Sequence, residues 1–219
     1  MPLERVDAGG DPPVRGVLHA VAARDADGLV LTHGAGGNAE VPLLVAVAEA
    51  FAARGVAVLR CDLPFRQARA RGGPSPAGAG RDRAGLRAAV AVLGDRVGGR
   101  LFLGGHSYGG RQASMLVAED PALVAGLLLQ SYPVHPPGKP HDLRTAHLPC
   151  LRVPTLFVHG ASDPFADAGD IAAARALIPA RTAVVSLSAG HDLGWGRRQR
   201  DPNLPERIAT TFLDLVRPR

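Results

Sequence analysis

The sequence predicts an α/β fold: a mostly parallel sheet of seven to eight strands flanked by helices on both faces, filling a single domain over residues 1–219. Three observations carry this expectation. Short apolar runs bounded by Gly, Pro or polar turns alternate with segments whose apolar residues recur every three or four positions, the pattern of buried parallel strands separated by amphipathic helices. A chain of 219 residues, 46% hydrophobic and 21% charged, can bury a substantial core, which excludes a disordered chain. Its 27 glycines and 19 prolines follow no three-residue period, so they signal frequent turns rather than a fibrous or low-complexity chain.

In chain order, Val14–Ala20 and Leu29–Thr32 read as strands, and Val41, Leu44, Val45, Ala48 and Phe51 form one apolar helical face. The strand Val56–Arg60 follows, and then Leu63 to Gly80, rich in Gly, Pro and Arg, which is expected as a long surface loop. Leu86, Ala89, Val90, Leu93 and Val97 give a second helical face, Leu101–Gly105 a strand, and Arg111 to Ala118 a helix. The strands Val124–Gln130, Thr155–Val158 and Thr182–Leu187 complete the set, with one helix over Ile171 to Ile178 and a last one over Leu204 to Val216. Only about twenty residues separate the strand ending at Gln130 from the one starting at Thr155, which leaves little room for a lid.

The formal charge of +5 is almost wholly arginine, since Lys139 is the sole lysine. The arginines are spread along the chain and not gathered on one predicted face, so no nucleic-acid surface is expected. Met1 to Pro13 carries no apolar targeting core and no run approaches the roughly 20 apolar residues of a spanning helix, so a cytoplasmic protein without membrane attachment is expected. Cys61 and Cys150 lie far apart with no CxxC; this fits a reducing compartment and leaves their pairing open.

Ligands of such sheets sit at the carboxyl ends of the strands, and four of those ends carry chemistry. Gly105-His106-Ser107-Tyr108-Gly109 follows a strand and opens a helix; its small residues permit a sharp turn that holds the Ser107 hydroxyl out as a nucleophile. Asp163 follows the strand ending near His159, where a carboxylate can orient an imidazole. The nearby Asp167 and Asp170 look like the acidic start of the next helix. His191, alone among eight histidines in lying on a loop after the final strand, is the candidate base. The chain order Ser107, Asp163, His191 is that of a hydrolase sheet carrying nucleophile, acid and base on successive strand ends. Small residues in His33-Gly34-Ala35-Gly36-Gly37 allow the backbone N–H of Ala35, or alternatively of Gly36, to join that of Tyr108 as an oxyanion hole. The same loop matches a dinucleotide turn, Gly34-x-Gly36-x-x-Ala39 with Asp62 as ribose acceptor. That reading leaves Ser107, Asp163 and His191 without a role.

These words resemble the α/β-hydrolases, and specifically a small lidless group related to dienelactone hydrolases and to the Tex30 and KANSL3-like proteins. The resemblance rests on His33 to Gly37, Gly104 to Arg111, Tyr132-Pro133-Val134-His135-Pro136-Pro137-Gly138-Lys139-Pro140, His159 to Phe165 and Gly190-His191, and it spans Val14 to the C-terminus. It implies an eight-stranded sheet with one antiparallel strand, the first strand being abbreviated to Leu3–Val6. The function expected is a serine hydrolase of small ester or thioester substrates, working through an acyl-enzyme without a cofactor or metal. The alternatives are an acyltransferase with the same triad and a non-catalytic interaction module. A monomer or homodimer is expected.

Without a lid the pocket should be shallow, with Asn38, Phe65, Tyr108, Tyr132, His135 and Trp195 as wall candidates, because each follows a strand end or borders a motif loop. Arg66, Arg69 and Arg71 are expected to keep the long loop solvated. His135, His141, His147 and Cys150 match no metal-ligand spacing.

Overall fold

The computed structural model describes residues 2–196 and 200–217. One sheet organises them, built from β1 (Leu3–Ala8), β2 (Val14–His19), β3 (Gly28–Thr32), β4 (Ala57–Cys61), β5 (Leu101–His106), β6 (Leu127–Gln130), β7 (Thr155–Gly160) and β8 (Thr182–Leu187). The spatial order is β1-β2-β4-β3-β5-β6-β7-β8. β2 runs antiparallel to both of its neighbours, and every other pairing is parallel, so a single strand opposes the rest.

Helices cover both faces: α1 (Pro42–Ala53), α2 (Pro64–Ala68), α3 (Ala79–Gly94), α4 (Tyr108–Glu119), α5 (Ala168–Ala176) and α6 (Leu204–Val216). Leu29, Leu31, Phe102 and Leu128 point from the sheet to α1 and α6, where Phe212 meets Phe51 and Phe102 edge-on at 5.6 and 5.2 Å. Val30, Leu103, Leu129 and Phe157 point the other way, to α3, α4 and α5. All residues of β3, β4, β6 and β7 are therefore buried, which is why these strands read as continuous apolar runs without alternation.

Three expectations need correction. The first strand extends past Val6 to Ala8, in register with Val14. The apolar run from Val124 becomes strand only at Leu127. The surface loop expected over Leu63 to Gly80 is largely structured: Leu63, Pro64 and Phe65 are buried, α2 occupies Pro64–Ala68, and α3 starts at Ala79. Proline at the first position of α2 suits a helix start, and the amide of Phe65 donates to the buried Asp82 carboxylate of α3 at 3.0 Å. The acceptor that caps this helix comes from a different element, so local composition does not reveal it.

Cys61 is buried in β4 with its thiol pushed up to about 12 by desolvation, Cys150 is exposed, and both are free. Among the described residues no helix is long and apolar enough to cross a membrane.

Candidate active site

β5 delivers its last residue, His106, to the rim of the sheet, and Ser107 turns the chain into α4 with φ 52° and ψ −116°. A non-glycine residue in this left-handed region is strained by about 1–3 kcal/mol, and the surrounding packing must enforce it. Its neighbours are glycines by necessity. A Cβ on Gly105 would come within 2.7 Å of the Gly109 backbone, and one on Gly109 within 2.4 Å of the His33 carbonyl oxygen. Any larger residue would separate strand from helix and straighten the turn.

Across the rim, His191 Nε2 lies 2.8 Å from Ser107 Oγ, and His191 Nδ1 lies 2.8 Å from Asp163 Oδ2. The Asp163 carboxylate is fully buried, and its other oxygen accepts the Phe165 amide at 2.9 Å. An acceptor-only carboxylate fixes the proton on Nδ1 and leaves the Nε2 lone pair facing the serine hydroxyl. The Phe165 ring lies against the imidazole, with centroids 4.4 Å apart. The rivals Asp167 and Asp170 form the capping box that opens α5, as their position had suggested.

The loop bearing His191 is held by its own carbonyl, which accepts from Ser131 Oγ at 2.8 Å and from His106 Nε2 at 2.9 Å. Burial, reinforced by the neighbouring His191, pushes His106 down to about 4. His106 is therefore neutral, its single ring proton sits on Nε2 toward that carbonyl, and Nδ1 remains an acceptor. A side chain on Gly34 would come within 2.9 Å of this Nδ1.

The loop after β3 closes the site from the other side. Gly34 O accepts from His33 Nδ1 at 2.8 Å and from the Gly37 amide at 3.1 Å. His33 Nε2 accepts the Leu63 amide at 3.1 Å, which fixes the tautomer, and burial lowers the pKa of this ring. Among the described residues, the amides of Ala35, Gly36 and Tyr108 have no acceptor. Asp62, the acid of the dinucleotide reading, accepts the Ala39 amide at 2.7 Å and serves the loop itself.

A cavity of about 490 Å³ opens onto Ser107 and His191. The glycine-rich loop, Val41 to Leu44 at the start of α1, His106, Phe165 and the loop from His191 to Gly196 line it. Of the expected wall residues, only Trp195 reaches it directly. Asn38 is exposed and caps the Glu40 amide. Phe65 packs edge-on against His33 and Tyr108, whose hydroxyl donates to Asp82 at 2.7 Å. Tyr132 is buried with its hydroxyl on the Arg144 carbonyl, and His135 pairs with Asp170 at 3.1 Å. Phe65, Tyr108 and Tyr132 pack on the α3–α5 side of the sheet, whereas the cavity opens toward α1. Sequence reasoning missed Leu43, which it gave no role, and Leu44, read there only as part of a buried helix face, and missed His106 as a wall residue. The signal available was α1 starting soon after the glycine-rich loop that follows β3. His135 turns to Asp170 and His147 to Ser114.

A family model for an alpha/beta hydrolase domain matches residues 25–212. Among solved structures, a dienelactone hydrolase from Anabaena variabilis is 24% identical with a TM-score of 0.73, covering 98% of this chain and 96% of its own. Est1E from Butyrivibrio proteoclasticus is 17% identical with a TM-score of 0.75, covering 97% and 98%. An alpha-beta serine hydrolase homologue from Coxiella burnetii is 18% identical with a TM-score of 0.73, covering 95% and 96%.

Proposed function

The chain belongs to the alpha/beta hydrolase domain family, which makes it a hydrolase, and from that premise we propose a serine hydrolase of small ester or thioester substrates. The observation that carries this reading is the unbroken relay from Ser107 Oγ through the His191 ring to the buried Asp163 carboxylate, with both links at 2.8 Å.

His191 Nε2 takes the Ser107 proton as the oxygen attacks the substrate carbonyl carbon, and Asp163 stabilises the imidazolium that results. The negative charge moves to the carbonyl oxygen, where the free amides of Tyr108 and of Ala35 or Gly36 receive it. When the tetrahedral intermediate collapses, the departing alcohol or thiol takes the proton from His191, which leaves an acyl-serine. Water, deprotonated by the same imidazole, then releases the acid and restores the hydroxyl.

The cavity walls of Val41, Pro42, Leu43, Leu44, Phe165 and Trp195 favour an apolar acyl or aryl group, and its volume falls in the range of pockets that hold small organic ligands. This makes the site roomier than the shallow pocket expected from the missing lid, because α1 and the loop after β8 supply the walls.

The test is a fluorophosphonate probe followed by a panel of p-nitrophenyl esters of increasing chain length. Wild type should be labelled at Ser107 and should turn over esters, and Ser107→Ala should do neither. Equal turnover by that variant would refute the assignment.

A further inference from the structure

We infer that Arg66, expected from sequence to be a solvated loop cation, is the positioning residue that holds the oxyanion loop in its working shape; this rests on the hydrolase reading above. Among the described residues its guanidinium donates only to backbone carbonyl oxygens. Nε donates to Gly37 O at 2.8 Å, and Nη2 to Ala35 O at 3.0 Å and Gly72 O at 3.1 Å. Nη1 donates to Ala70 O at 2.7 Å and Arg69 O at 3.3 Å. One rigid fork thus ties two carbonyls of the glycine-rich loop to three carbonyls of the segment after α2.

In a trans peptide the carbonyl and the N–H point in opposite directions, so fixing an oxygen fixes the hydrogen on its far side. The bond from Arg66 to Ala35 O orients the Gly36 amide, while His33 and the Gly37 amide, both on Gly34 O, orient the Ala35 amide. Neither amide has an acceptor among the described residues, as required of donors waiting for charge to develop. Ala35 is flanked by glycines on both sides, which would leave this turn loose without an external tie.

The guanidinium lies 5.1 Å from the centre of the Phe65 ring, and Phe65 packs edge-on against Tyr108 at 5.8 Å. Among the described residues no carboxylate pairs with Arg66, so its charge is not cancelled and polarises the peptides it holds toward greater positive charge at their hydrogens. Lysine cannot replace this geometry, because a single nitrogen does not span two loops.

The experiment compares wild type, R66A, R66K and S107A with p-nitrophenyl acetate and a fluorophosphonate probe. R66A should lose about 10–100-fold in kcat with KM altered less than about threefold, the pattern of weakened transition-state stabilisation. R66K should stay at least about fivefold below wild type in kcat. Millimolar guanidinium should raise turnover of R66A and leave S107A inactive. If R66A does not fold, R66K decides. A kcat within about twofold of wild type in the folded variant overturns the inference, as does a loss confined to KM, which would mark a substrate contact. In either case an inactive S107A leaves the hydrolase reading standing. A wild type that neither hydrolyses the ester nor takes the probe removes both.

Discussion

At Ser107 two requirements meet: the hydroxyl must stand clear of the sheet, and the backbone must accept φ 52° to put it there. The strain can be measured by substitution. Ser107→Ala keeps the strained backbone, so its melting temperature should stay near wild type while ester turnover disappears. Ser107→Gly relieves about 1–3 kcal/mol of strain and loses about 0.5–1 kcal/mol to the freer unfolded chain, for a net rise of a few degrees in calorimetry. Asp163→Asn should leave the fold intact and reduce kcat by about 10³–10⁴-fold, because an amide can donate to Nδ1 and stabilise the wrong imidazole tautomer. These three residues were legible in the sequence because each lies just beyond a strand end, in a position that topology alone brings to one rim. His106, Leu43 and Leu44 were not recognised as cavity walls, since their role depends on how the α1 end folds over the rim and not on spacing.

The element that most changes the picture is α2 with its continuation to Gly72. Asp82 of α3 accepts both the Phe65 amide and the Tyr108 hydroxyl, so one buried carboxylate joins α2, α3 and the start of α4. Removing it leaves two donors without acceptors in a dry setting, at about 1–3 kcal/mol for the pair's desolvation and lost bonding. Asp82→Ala should therefore lower the melting temperature by about 3–10 °C, with Asp82→Asn, which retains one acceptor, falling between. Equal melting temperatures for all three proteins would show that the carboxylate does not brace this corner. The segment reads as a surface loop because its helix is five residues long and lacks an apolar period. Its cap and its anchors are supplied by residues distant in sequence. The strands and long helices were legible for the opposite reason: their burial is repeated along the element, and period alone reveals it.

Over the whole molecule, histidine burial sets the response to acid. Burial pushes three rings down to about 4, helped at His19 by the Arg60 guanidinium, at His106 by the neighbouring His191 ring and at His147 by the Arg111 guanidinium. An unfolded histidine titrates near 6.5, so between about pH 6.5 and 4 the unfolded chain binds more protons than the native one, and stability is lost as the pH falls through that window. His19 is 1% exposed, and its Nε2 accepts the Arg60 Nε–H at 2.9 Å, a bond that protonation abolishes. Its contribution at pH 5 is up to about 2 kcal/mol. His106 at the cavity and the half-buried His147 contribute less, because solvent screens them. His135 works with the opposite sign. The Pro136 carbonyl, followed by Asp170, raises its pKa, so its contribution is present in acid and is lost as the pH rises through the raised value. Burial also lowers His33 and His159, so with five depressed rings against one raised the melting temperature should fall by several degrees between pH 7 and pH 5. His147→Gln can keep a hydrogen bond to Ser114 without titrating and should show a shallower fall. Calorimetry of both proteins at pH 7, 6 and 5 provides the comparison; a melting temperature that does not move with pH would mean that the rings bind protons in the fold about as readily as in the open chain, and parallel curves would mean this of His147.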